Sequence, residues 1–426
     1  MLSEASVKVL RTVSELEEVR REWESWPGHR DSDIDFFSAV VSSNPATIRP
    51  HVIVLYRGGR PDGILIGRID LTTLPLKIGY WHLPSPRLRL MTFVMGAQRG
   101  DCSSEASEIL LREALDSLRR GEADLGRLDF VQVDSPLYRL ARALVGVLRR
   151  DHVALSEPLW SMELSQTYEQ VLKGLSQGLR YELKRKGRTI AASFKSLEVK
   201  CFHRAEELET ALSDIEAIAA KSYQRRIGVG FHNTELTREL ALFQAKKGWL
   251  RAYVLYLEAK PSAFSLGCLY HGVFYSDEMA FDPELTEYAP GTVLQARVLE
   301  DLCAQQARGF DFGPGDAEYK ARFGTMRRDQ TCLYLFPPTV RGVALNVLRT
   351  LTGVVNETGK ALANRTGVLR RIKRILRGKK AATRKREVSK ADRVGKVAVS
   401  KLAEQGQGTR GRAPRSDERE GVQSST

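Results

Sequence analysis

Cysteine is scarce in this chain and never clustered. Cys102, Cys201, Cys268, Cys303 and Cys332 stand alone, five in all, with no C-x-x-C pair. An odd, scattered set supports neither a disulfide framework nor a thiolate zinc site, and it fits a reducing compartment. Histidine is thin as well, and no two are closer than His29 and His51. There is no H-E-x-x-H and no G-x-x-x-x-G-K-[ST], so zinc catalysis and P-loop nucleotide hydrolysis have no support, and no metal is expected. The chain also lacks an unbroken apolar run long enough to span a bilayer. Its opening, MLSEASVKVL, carries an early acid and no apolar core. Neither a spanning helix nor a cleaved secretion signal is expected, and the protein reads as cytoplasmic.

What the chain has is length, apolar content and an uneven charge. At 426 residues and 42% hydrophobic it can bury a sizeable core in two or three domains. Its formal charge of +14 is not spread evenly. From Arg341 onward there are 22 Lys and Arg against 7 Asp and Glu, whereas residues 1–340 hold 44 against 45. The basic character belongs to the tail.

Periodicity orders the body. Ser14 to Trp26 repeats apolar residues at helical spacing, and alternation then marks strands at His51 to Arg57 and Asp62 to Asp70. A third strand is expected from Leu76 to Leu83, then a helix from Ser104 to Leu118, the strand RLDFVQVD and a short helix from Pro136. After a helical connector the order returns. A strand at Leu197 to Phe202 and a helix from Ala205 to Tyr223 precede three strands at Leu250 to Glu258, Ala263 to His271 and Val273 to Phe281. A helix from Pro290, the strand FDFG and a last strand QTCLYLF complete the body. The repeated order of helix, meander, helix and strand suggests a duplicated α+β domain.

Three features bear on chemistry. GLSQG, from Gly174 to Gly178, matches the nucleophile elbow G-x-S-x-G, but Tyr168, Val171, Leu172, Leu175 and Leu179 around it follow helical spacing, so the match is accidental. Pro290, Gly291, Thr292 and Val293 open an amphipathic helix whose first N–H groups and dipole could hold an anion. GPGDAEYK, directly after FDFG, places Asp316, Glu318, Tyr319 and Lys320 at a strand's carboxyl end. A clustered acid, phenol and amine could serve acyl transfer, or could be a solvated turn with one packed ring. Asp282 is a weaker candidate base.

The stretch from Trp249 to Phe323 resembles the tandem GNAT-fold acetyltransferases of the cellulose-biosynthesis (CelD-like) type, which share their fold with the Fem aminoacyltransferases. The carriers of the likeness are GWL, the alternating strands, FDPE, the Pro-Gly helix start and GFDFGPGDAEYK. The resemblance implies two GNAT-like domains, at 1–165 and 193–340, joined by a connector at 166–192. It makes Pro290 to Val293 the turn that binds the pyrophosphate of acyl-CoA, and Tyr319 and Lys320 the family's YK pair. Tyr319 would protonate the departing thiolate, Lys320 would hold phosphate or oxyanion, and Asp316 or Glu318 would act as base. The N-terminal half lacks both landmarks and is expected to shape the substrate cleft without catalysing. The implied acceptor is a sugar, cell-envelope glycan or polysaccharide precursor, with acetyl-CoA or another acyl-CoA as donor. A Fem-type transferase using aminoacyl-tRNA and a non-catalytic envelope or nucleic-acid adaptor are the alternatives.

Two basic features remain. Arg180, Lys184 and Arg188 recur every four residues on one helix face, which could meet the phosphates of a nucleotide-sugar or could simply be solvated. From 341 to 377 an apolar stripe with dense Arg and Lys predicts a basic amphipathic helix, and 378–426 reads as a disordered basic tail. Residues 367–380 have the pattern of a helix lying on the anionic inner membrane face. Nucleic acid is the weaker partner, because no aromatics interleave with the charges.

Overall fold

The computed structural model describes residues 5–78, 81–165, 167–226, 228 and 230–365. The basic stretch 367–380 and the tail 378–426 therefore lie outside the described residues. Met1–Val354 is one compact unit, and Val355–Thr426 is separate from it.

The compact unit is a mixed α+β fold built on one continuous sheet. Its N-terminal half runs Ala5–Leu10, Val52–Arg57, Arg60–Thr73, Arg87–Gly100 and Leu125–Gln132. The C-terminal half repeats this order as Leu197–Phe202, Leu250–Leu257, Lys260–Tyr270, Val273–Phe281 and Gly309–Pro314. In each half the first four strands are antiparallel and the last pairs parallel to the fourth. The return to a parallel strand requires a crossover, and helices Ser104–Arg119 and Pro290–Ala304 provide it.

The halves are joined edge to edge. Ser156–Glu163 leaves the N-terminal half to pair with Gly309–Pro314, and the late strand Met326–Leu335 returns between it and Leu125–Gln132. Leu333 and Leu335 of that late strand are buried in the N-terminal core with Trp23, Phe37 and Phe93. Separating the halves would therefore strip each core of residues carried by the other segment of chain.

Local chemistry sets the element ends. Thr12 and Thr167 form capping boxes with Glu15 and Gln170. Ser176, the serine of the apparent elbow, accepts from the Leu179 amide and caps helix Gln177–Ser193, so it is no nucleophile. The third meander strand of the N-terminal half is Arg87–Gly100, not Leu76 to Leu83, where only the two-residue strands Lys77–Ile78 and Trp81–His82 form. The physical cause is a bulge: Leu65 pairs with Gln98 but Gly67 with Phe93, which breaks the alternation that sequence reading relies on.

Helix Val340–Arg365 begins packed on the N-terminal half. Asn346 Nδ2 donates to the carbonyls of Leu148 and Arg150, both at 2.9 Å. Arg349 lies 4.2 Å above the Tyr334 ring and pairs with the fully buried Asp151 at 3.2 Å. The apolar stripe expected from Leu348 and Leu351 faces outward instead, because the inward face is Leu345, Asn346 and Thr352.

Candidate active site

In the C-terminal half the parallel ladder between Val273–Phe281 and Gly309–Pro314 lasts only three pairs and ends at Tyr275 opposite Asp311. Beyond that point the strands part. The partner strand Lys260–Tyr270 helps to bend the first of them: Leu266 pairs with Glu278 and Gly267 with Ser276, leaving Asp277 as an extra, bulged residue. Gly313 stands where the second strand turns away. Its φ is +71°, and a side chain there would press within 2.9 Å of the Ser276 carbonyl, so both conformation and space demand glycine.

Asp311 lies at this fork. Phe310 and Phe312 bury their rings on either side of it in the chain, while its own carboxylate accepts from the Gly313 amide at 2.7 Å. Burial pushes its pKa up to about 6, against the Gly313 hydrogen bond and the positive charges of Arg30 and Lys320. Such a carboxylate is a base near neutral pH. Glu278 on the opposing strand is also raised, by burial and then by Asp277.

Tyr319 and Lys320 lie on helix Glu318–Phe323 just beyond the fork. The Tyr319 ring packs edge-on to Phe312 at 6.5 Å, and burial followed by the Glu278 charge pushes its pKa up to about 12. It stays protonated at any working pH. Lys320 is buried, and its Nζ donates to the carbonyls of Pro314 at 2.8 Å and Gly313 at 3.1 Å. Burial lowers its pKa, opposed by Asp311 and Glu278. Its visible work is to hold the Gly-Pro-Gly turn in place. Asp316 and Glu318 are exposed, so the acids that influence Tyr319 and Lys320 are Asp311 and Glu278, which sequence reading passed over. Asp282 pairs with Lys221 at 2.7 Å and caps the turn Pro283–Tyr288, a structural task.

Helix Pro290–Ala304 starts after Ala289, whose φ of +51° turns the chain sharply. The amides of Thr292 and Val293 both donate to the Ala289 carbonyl, and Val293 is core. Gly291 is half-buried, and a side chain on it would meet the Phe281 ring at 3.3 Å, so the helix start faces the far end of the parted strand. The helix dipole and the Gly291 amide remain for an anion there. Arg180, Lys184 and Arg188 are exposed on helix Gln177–Ser193. The basic residue of that helix that reaches this entrance is Lys186, whose Nζ donates to the Glu287 carbonyl at 2.6 Å.

The N-terminal half also contributes. Arg30 grips both oxygens of the bulged Asp277, one at 2.7 Å, while touching Asp31 at 3.0 Å and Cys268 Sγ at 3.3 Å. His29 packs edge-on to Tyr275 at 4.6 Å, and burial lowers its pKa to about 4, leaving it neutral. Among the described residues no cluster of His, Cys, Asp and Glu is arranged to hold a metal.

A strand pair that parts after a short parallel ladder, with a helix start at one end and a buried acid at the fork, can hold an extended ligand between the strands. Residues 177–321 match the family described as an acetyltransferase (GNAT) domain, whose members take their acyl group from acyl-CoA. The class that domain and fold define is a GNAT-fold acyltransferase. The crystal structure of FemX is similar, with a TM-score of 0.51 at 13% identity over 77% of this chain and 96% of FemX, which shows the fold. A tandem GNAT protein from the clavulanic acid biosynthesis pathway aligns with a TM-score of 0.44 at 14% identity, covering 78% of this chain and 98% of that one. No curated protein sequence matches the chain.

Proposed function

We propose that the chain transfers an acyl group, acetyl above others, from acyl-CoA held in the C-terminal half to a hydroxyl or amine of a sugar, glycan or polysaccharide precursor, as in CelD-like enzymes. The observation that carries the reading is Asp311, a buried carboxylate with its pKa near neutrality where the strands part. The acceptor's O–H or N–H gives its proton to Asp311 as the new acyl bond forms. The C–S bond breaks, and the departing thiolate accepts a hydrogen bond from Tyr319. A free thiol has a pKa of about 8.5, so proton transfer from Asp311 to the thiolate is downhill and restores the carboxylate. Tyr319, with its higher pKa, stabilises the leaving group by hydrogen bonding and keeps its own proton.

The donor site has its own test. Gly291→Asp adds a side chain against Phe281 and a negative charge at the helix start, both unfavourable to a diphosphate. Equilibrium dialysis against acetyl-CoA is expected to show binding by the native chain and at least a tenfold loss in the folded variant. Equal affinity would remove the diphosphate from this helix, and binding of aminoacyl-tRNA in place of acetyl-CoA would favour Fem-type chemistry.

A place on an anionic membrane surface is part of the same reading. No helix among the described residues is long and apolar enough to cross a membrane. Val147 and Leu148 are about two-thirds exposed, at 65% and 68%. The Asn346 bond to Leu148 ties their segment to a helix that also exposes Val347, Leu348 and Leu351. Such clustered apolar side chains suit shallow insertion, and the 22 basic residues from Arg341 onward suit anionic headgroups. A chain cut after Pro338 would leave Asp151 buried without Arg349, so the cut that keeps the fold falls after Arg365. The full chain is expected to co-sediment with phosphatidylserine vesicles at low salt, and the shortened chain to do so several-fold less. Equal sedimentation of the two would contradict the membrane role.

A further inference from the structure

The N-terminal half has a fork of its own. Arg87–Gly100 and Leu125–Gln132 share four parallel pairs, ending at Phe93 opposite Leu128, and then part. Between them lies a cavity of about 600 Å³, lined by Phe93, Phe130 and Gln98 on the strands and by Gln330 on the late strand, and walled at one end by Tyr275 and Asp311. The base proposed for the C-terminal half thus faces a cleft built by the N-terminal half.

Two features define what the cleft can take. The first is charge at its helix start. Where the C-terminal half offers Gly291, the corresponding helix Ser104–Arg119 is preceded by Asp101, whose carboxylate accepts from the Ser103 amide at 2.8 Å and the Ser103 hydroxyl at 3.0 Å. Glu105 follows in the first turn. Carboxylates already occupy the place where a diphosphate would bind, so an acyl-CoA is directed to the other half. The second feature is Gln330. It is 1% exposed, and neither its Oε1 nor its Nε2 has a hydrogen-bond partner among the described residues. Buried amides are rarely left in this state, and one facing a cavity offers a donor and an acceptor to whatever enters. Phe130, on the same wall, holds a φ of +47°, a conformation costly for a bulky residue and found where surroundings fix a side chain for use.

We infer that this cleft is the acceptor subsite and that it takes a neutral ring bearing hydroxyl or amide groups, a sugar unit, with Gln330 bonding its polar edge and its nucleophile turned to Asp311. The inference rests on the acyl-transfer reading for the role of Asp311, but not for the binding itself. A cavity of this size accommodates a disaccharide, within the usual range of roughly 300–1,000 Å³ for small-molecule sites.

Saturation-transfer NMR with cellobiose and with chitobiose tests it without turnover. The native chain is expected to transfer magnetisation to at least one of the two. Gln330→Leu, and Gln330→Met as a second form, should abolish the transfer. Because Gln330 holds no protein partner, neither variant should lower the melting temperature. Absence of transfer to both sugars in the native chain, or transfer that survives in the folded Gln330 variants, overturns the inference. The two readings fail separately: sugar binding without acetyl-CoA binding sinks the proposed donor, and acetyl-CoA binding without sugar binding sinks the acceptor cleft.

Discussion

Asp311→Asn is expected to leave a protein at least as stable as the native chain and about 10²- to 10⁴-fold slower in acyl transfer, the range for losing a general base. The two effects have one cause. Burial is what raises the Asp311 pKa, so at pH 8 the folded protein keeps a charged carboxylate in a place that disfavours charge. Asparagine removes that charge and can still accept from the Gly313 amide. It cannot accept the acceptor's proton. The sign of the pH dependence follows: activity needs the ionised carboxylate, so kcat/KM should fall as pH drops through about 6. Fold stability contributed by the raised pKa runs the opposite way, greatest below the ordinary carboxylate range and lost as pH rises through about 6. A packing residue would show neither the rate loss nor the acid limb, and pH profiles with thermal melts on both proteins separate the cases.

Arg30→Met should damage folding. Its guanidinium is 13% exposed and its partner Asp277 30% exposed, and the pair bridges the two halves of the molecule. Removing one member leaves a half-buried carboxylate without its partner. The expected loss is on the order of 2–4 kcal/mol, below the top of the range for buried pairs because water still reaches Asp277. Replacing both residues, as in Arg30→Met with Asp277→Leu, should recover most of it, which urea denaturation on the four proteins of the cycle would measure. Because Asp277 is the bulged residue next to Glu278, the single variant should also blunt activity beyond its stability loss. A cycle showing additive effects would mean the pair holds nothing together.

How far the sequence discloses this site depends on which contacts are local. Strands Leu197–Phe202 and Val273–Phe281 agree with their alternation residue for residue, and Ser176 is legible as a cap because helical spacing surrounds it. Tyr319 and Lys320 are legible because the motif that carries them is contiguous. Asp311 was visible only as the letter between two phenylalanines. Its significance comes from pairing with Tyr275 and from the turn at Gly313, both tertiary facts. Arg30 meets Asp277 across 247 residues of chain, and no periodicity reports such a contact. The bulge at 94–97 hid the third meander strand for a related reason, since a bulge erases the alternation that marks a strand. Gln330 had no signal at all, because the late strand takes its place between the halves only once both have formed.

The most direct test of the division of labour between the two halves is a crystal structure of the full chain with acetyl-CoA. The diphosphate is expected at Gly291, and the thioester between the parted strands beside Asp311 and Tyr319. The nucleotide lying instead in the cleft of Gln98 and Gln330, or no bound nucleotide at millimolar acetyl-CoA, would contradict the account.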